Sequence, residues 1–210
     1  MRVIAIDGPA GSGKSTVARR LAEKLGLDYL DTGAMYRAVT FAALRRGLDP
    51  TDADDVAKLV PDLEISVVDR TVEVDGVDAS IEIRGPEVTR AVSAVAANPA
   101  VRTELRRRQQ EWAASHDGGV IEGRDIGSVV FPDADLKVYL TAHPEVRASR
   151  RAGEVRDLDY EAVAADIARR DALDQGREHS PLTQAEGAVE VDTTDRSIDQ
   201  IVDHIMGLLG

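Results

Sequence analysis

Eight residues constrain this chain more than any others: Gly8-Pro9-Ala10-Gly11-Ser12-Gly13-Lys14-Ser15. They satisfy G-x-x-x-x-G-K-[ST] at every fixed position, and they follow the apolar run Val3-Ile4-Ala5-Ile6-Asp7. That run reads as a short strand of the kind a parallel sheet buries on both faces. After the loop, Val17, Ala18, Leu21, Ala22 and Leu25 recur at helical spacing, and Gly26 stands where a helix would stop. Strand, glycine turn and helix in that order form the setting in which such a loop wraps a phosphate chain. Glycines let main-chain N–H groups turn inward, and the helix adds its positive N-terminal end. Gly8, Pro9, Ala10, Gly11, Ser12, Gly13, Lys14, Ser15 and Thr16 are therefore expected to hold a nucleoside triphosphate. Lys14 would reach the β- and γ-phosphates, and the Ser15 hydroxyl would bind Mg²⁺.

The rest of the chain keeps the same alternation. Short apolar strands are expected at 28–31, 119–122, 136–140 and 188–191, separated by helical stretches. With 3–7 they make five strands of a parallel sheet covered by helices on both faces. Ligands of such sheets bind beyond the carboxyl ends of the strands. One region departs from this rhythm. Residues 63–68 and 71–74 alternate with period two, Asp75-Gly76 signals a tight turn, and 77–81 can supply a third strand. This is a small antiparallel insert, followed by two helices at 87–97 and 99–115.

Composition narrows the partners. Aromatic residues are only 3%, so the core must be aliphatic. The absence of cysteine removes disulfides and thiolate metal sites. A net charge of -12 argues against a nucleic-acid polymer, whose phosphates need a basic face. No apolar run approaches the roughly 20 residues of a membrane helix. The N-terminus turns acidic too soon for a secretory signal, so a cytoplasmic location is expected. Asn98 is the only asparagine and precedes Pro99, which leaves no Asn-Lys-x-Asp element for reading guanine.

Two segments suit an acceptor. Leu30-Asp31-Thr32-Gly33-Ala34-Met35-Tyr36-Arg37 begins at a strand end and offers a hydroxyl, a ring and a guanidinium fork. Its plainer account is a capped helix with a half-buried tyrosine and a surface arginine. Glu122-Gly123-Arg124-Asp125-Ile126-Gly127 pairs a cation with an anion between glycines. There the arginine can grip a phosphate and the aspartate can accept from a base amino group, or the two can simply brace a turn. Arg102, Arg106, Arg107 and Arg108 share one helix and read mostly as a solvated face, with Arg102 and Arg106 on one side of it. Arg147, Arg150 and Arg151 open the helix after the fourth strand, and Arg169 and Arg170 precede Asp171, Asp174 and Arg177. On these residues alone, a kinase for some other small acceptor and an ATP-dependent switch both stay open.

The segments 6–15 and 30–37, Val101-Arg102, Gly123-Arg124-Asp125-Ile126-Gly127 with Val129-Val130-Phe131-Pro132-Asp133-Ala134, and Arg170-Asp171 through Asp174 to Arg177 resemble bacterial-type cytidylate kinases, nearly end to end. The resemblance implies a P-loop NTPase fold of the nucleoside monophosphate kinase type, one domain over 1–210. Within it would lie a monophosphate-binding region at 33–97, carrying the β insert, and a lid at 147–160. It implies transfer of the γ-phosphoryl group of ATP to CMP or dCMP with Mg²⁺. Ser93, Arg102 and Asp125 would read cytosine. Thr32, Tyr36, Arg37, Arg124 and Arg170 would surround the sugar and phosphate, Asp174 would meet the ribose, and Arg177 would lie close by. Lys14, Arg124, Arg151 and Arg170 would be catalytic, with Arg147 beside Arg151 in the site. The partners would be ATP and CMP or dCMP, with no nucleic-acid polymer, no membrane, and a monomeric chain. Only eight residues separate Arg151 from Tyr160, so the lid would be short for this family.

Overall fold

β1 (Arg2–Asp7) is buried along every residue but its first, which accounts for its unbroken apolar run. It stands in the middle of a five-stranded sheet of order β2-β6-β1-β7-β8. The other strands are β2 (Tyr29–Asp31), β6 (Gly118–Gly123), β7 (Leu136–Thr141) and β8 (Val189–Asp192). β1 pairs in parallel with β6 on one side, with Ile6 opposite Glu122, and with β7 on the other, with Ile6 opposite Val138. The computed structural model describes residues 1–154, 160–178 and 180–209. They fall into two units, Met1–Tyr29 with His116–Gly210, and Leu30–Ser115.

In the first unit, α1 (Lys14–Leu25) buries Lys14, Val17, Ala18, Leu21 and Ala22, the stripe expected from its spacing, and ends at Gly26. That stripe packs on Ile4, Ile6, Val120 and Leu140 of the sheet and on Ile201, Val202 and Ile205 of α8 (Ile198–Gly207). The cluster is wholly aliphatic, as so few aromatics require, and Leu21→Ala would cost about 2–5 kcal/mol through the cavity it leaves. Ser197 caps α8 with a reciprocal bond to Gln200. α6 (Pro144–Glu154) and α7 (Tyr160–Gln175) complete this unit. The span 147–160 expected to form a lid thus begins inside α6, and its residues 155–159 lie outside the described residues. Between β6 and β7 the chain makes one π-type turn, Ile126–Val130, which periodicity did not foretell.

The second unit holds α2 (Thr32–Arg45), α3 (Ala53–Leu59), α4 (Pro86–Ala97) and α5 (Pro99–Ser115), with β3 (Ile65–Val68), β4 (Thr71–Val74) and β5 (Val77–Asp78). The three strands form the antiparallel insert, with Val67 opposite Val72 and Val74 opposite Val77. β4 buries Val72 and Val74 and exposes Thr71 and Glu73, the period-two pattern in space. The last strand is shorter than the expected 77–81. Asp78 accepts from the Ser80 backbone N–H and hydroxyl, and this turn ends the ladder. Trp112, the only tryptophan, is half-buried on α5. Among the described residues, no helix is long and apolar enough to cross a membrane.

Candidate active site

The loop 8–15 leaves the carboxyl end of β1 and enters α1, as its sequence context demands. Two of its glycines are dictated by crowding. A Cβ on Gly8, at φ 148°, would lie 2.2 Å from the Leu140 carbonyl oxygen, and one on Gly11, at φ 76°, would lie 2.8 Å from that of Arg147. Lys14 is buried, and its Nζ donates to the Pro9 carbonyl at 2.8 Å. Burial, reinforced by the nearby Arg124 cation, pushes the ammonium well below its ordinary pKa, against the pull of Glu122, Asp7 and Asp171. Ser15 and Thr16 are exposed at the head of α1.

Sequence reasoning missed two acids here. Glu122, at the end of β6, is buried and accepts a hydrogen bond from the Ser15 hydroxyl at 3.0 Å. It also accepts from the Tyr29 hydroxyl, whose ring lies 5.1 Å from the Arg19 guanidinium carbon. The available signal was an acid at the carboxyl end of an otherwise apolar strand, where such sheets place their ligands. Asp7 closes β1. Its carboxylate accepts from the backbone N–H of Ile126 at 2.9 Å and of Gly127 at 2.8 Å, so it tethers the segment that follows Arg124 and Asp125. Burial lifts the Asp7 pKa to about 6 and the neighbouring Asp125 adds to the rise, opposed by those two N–H groups.

The same unit gathers the other arginines. Arg124 donates to Asp174 at 2.9 Å, and Arg177 pairs with the same carboxylate. Burial alone would raise the Asp174 pKa, but the two guanidiniums outweigh it and hold the acid below its ordinary range. Burial lowers the pKa of Arg170, and the positive charges of Arg124 and Arg151 add to the effect. Its buried Nε has no hydrogen-bond partner among the described residues. The Arg124 cation thus acts on both Lys14 and Arg170, and Arg151 acts on Arg170 as well. Asp125, also of this unit, is buried.

Thr32, Tyr36, Arg37, Ser93 and Arg102 belong to the second unit. Asp31 caps α2 by accepting from Ala34 N at 2.9 Å, which sets Thr32 as the first, buried, helical residue. Arg37 is buried, in place of the surface arginine of the plainer account, and donates to the Ile83 carbonyl at 2.8 Å and the Thr89 hydroxyl at 3.0 Å. Ser93 is buried on α4. Arg102 is buried too. It donates to the Ala96 carbonyl at 3.1 Å and holds its guanidinium carbon 5.6 Å from the Tyr36 ring centroid. Arg106, four residues on, is exposed, so the expected shared face of these two arginines divides between inside and outside. Arg108 is also drawn inward, to the carbonyls of Leu63 at 2.6 Å and Val60 at 2.8 Å.

Residues 4–209 match the family model described as cytidylate kinase. The chain is 52% identical over 217 residues to the cytidylate kinase of Mycobacterium avium, covering 99% of this chain and 94% of that protein. It is 49% identical over 212 residues to the cytidylate kinase of Streptomyces griseus, covering 99% and 92%. In fold it is similar to the shikimate kinase of Bacteroides thetaiotaomicron, with a TM-score of 0.53 at 16% identity over 99% of this chain and 98% of that one.

Proposed function

The chain belongs to the cytidylate kinase family of nucleoside monophosphate kinases, and on that premise we propose that it transfers the γ-phosphoryl group of ATP to CMP and dCMP. The observation that carries this reading is the buried Lys14 of the phosphate loop beside the Arg124 cation, with Arg124 and Arg151 both close enough to act on the half-buried Arg170. Positive groups that repel one another at close quarters suit a place where several phosphate charges converge.

A phosphate oxygen of CMP attacks the γ-phosphorus, the bond from that phosphorus to the β–γ bridging oxygen breaks, and ADP leaves with CDP formed. The attacking oxygen is already ionised, so no side chain need remove a proton. Alignment, charge neutralisation and exclusion of water are what remain for the protein. Lys14 holds the β- and γ-phosphates, with the loop 8–16 around them. Arg124, Arg151 and Arg170 offset charge on the transferred group. Ser93, Arg102 and Asp125 read cytosine, Thr32, Tyr36 and Arg37 hold the sugar and phosphate, and Asp174 with Arg177 serves the ribose. The Ser15 hydroxyl and Glu122 carboxylate suit Mg²⁺, a hard cation that takes oxygen donors from one or two carboxylates and the phosphates. When bound, the ion supplies further neutralisation of phosphate charge.

A coupled assay with CMP, dCMP, UMP, AMP and shikimate as acceptors tests the reading. CMP and dCMP should turn over best. Equal or better turnover of an acceptor without cytosine would overturn it.

A further inference from the structure

Ala10, at the turn of the phosphate loop, has both main-chain groups engaged from outside the loop. Its N–H donates to Asp171 at 3.1 Å, and its carbonyl accepts from Arg147 at 3.0 Å. Arg147 and Asp171 are ion-paired with each other, with side chains only 12% and 11% exposed. The Arg147 Nε donates to the Ala142 carbonyl at 3.2 Å, which fixes the fork from behind. The Ala10 methyl packs with Ala148 of α6 and with Val163 and Ile167 of α7. The main chain of α6 presses on Gly11 as well, where a Cβ would come within 2.8 Å of the Arg147 carbonyl oxygen.

These contacts have two consequences. The Ala10 N–H is spoken for by a carboxylate, so phosphate must be met by the loop's other N–H groups. The Arg147 charge is opposed at contact distance by Asp171 and shared with two carbonyls, an arrangement that shapes a loop rather than grips an anion. We propose that Arg147 and Asp171 are a positioning pair that holds the phosphate loop in its donor-binding shape without touching the donor, which revises the sequence expectation for Arg147. This inference rests on the reading of the loop as the ATP site.

The test uses the whole chain as wild type and as Arg147→Met, Arg147→Lys, Asp171→Asn and the Arg147→Met/Asp171→Asn double variant. Dissociation constants for Mg-ATP and CMP come from calorimetry, with folding checked by circular dichroism. Arg147→Met and Asp171→Asn should each weaken ATP roughly tenfold, the scale of one charge-assisted bond, and leave CMP within about twofold. The double variant should be no worse than the weaker single variant, and Arg147→Lys should fall between wild type and Arg147→Met. Hydrogen exchange in the nucleotide-free chain reads the loop directly, and both single variants should quicken exchange at Ala10 and Ser12. Failure of wild type to bind ATP would overturn the ATP reading, and the exchange result would still decide the brace. The proposal falls if Asp171→Asn binds ATP as tightly as wild type while Arg147→Met does not, because Arg147 would then be a phosphate ligand. It also falls if folded variants lose ATP and CMP affinity alike, or if exchange in the loop is unchanged.

Discussion

In the loop-bearing unit, Arg124, Arg177 and Arg147 lie against the carboxylates of Asp174 and Asp171; in the other unit, Arg37 and Arg102 donate to oxygens of Ile83, Thr89 and Ala96. Both settings fix a guanidinium, but the two kinds of contact differ in the field they contribute. A carboxylate cancels much of the charge it anchors, whereas a carbonyl or hydroxyl holds the fork in place and leaves its charge intact. The first unit sets the Arg124 cation beside the buried Lys14 and balances it with the acids Glu122, Asp7 and Asp171. The second anchors Arg37 and Arg102 in part through main-chain carbonyls and a hydroxyl, acceptors that bring no opposing charge. Stability and anion binding are thus tied together in the first unit, through the acids that face its guanidiniums.

The contrast can be broken or sharpened by substitution. The largest effect is expected for Lys14→Ala, which should lower kcat about 10²- to 10³-fold by removing charge from the β- and γ-phosphates. A kcat near wild type would contradict the loop assignment. Asp125→Ala comes next. It should remove roughly tenfold or more of the preference for CMP over UMP, the scale of one charged hydrogen bond. Unchanged discrimination in competition assays would show that the base is read elsewhere. A pH series then tests how charge and folding are linked in the first unit. Asp7, at about 6 in the native chain against an ordinary 3.8, binds its proton more tightly when folded. Its contribution to stability is therefore full below about pH 4 and declines by about 3 kcal/mol as the pH rises through about 6. Asp7→Asn has nothing to ionise there. Denaturant titrations should find wild type losing that much relative to the variant between about pH 4 and about pH 7. A pH-independent difference would count against the linkage. The smallest effect is expected for Arg108→Ala in the second unit, which should cost about 1–2 kcal/mol of stability through its lost bonds to Leu63 and Val60 and leave CMP turnover unaltered.

Much of this architecture was legible from local pattern. The apolar run at 3–7, the helical stripe from Val17 to Leu25 and the alternation at 71–74 each depend on neighbours in sequence, and each appears where it was expected. What escaped depends on partners far along the chain. Glu122 meets Ser15 across 107 positions, and Asp7 meets Gly127 across 120, so neither pairing leaves a local trace. The arginine run on α5 misled for a related reason. Its residues look alike, yet the helical turn carries Arg102 inward and Arg106 outward, and only packing decides which is which. Lys14, Arg124 and Arg170 were nameable as types, but the action of Arg124 on the other two became visible only when the end of β6, the head of α1 and α7 were placed in space.

Trp112 shares α5 with Arg102, and the loop-bearing unit has no tryptophan at all. The chain consequently carries a built-in optical label on one of its two units. Its emission should report changes along α5 without an added dye. A tryptophan introduced at an exposed position of α8 would give the other unit a voice of its own, and the two signals could then be followed separately as each nucleotide is added.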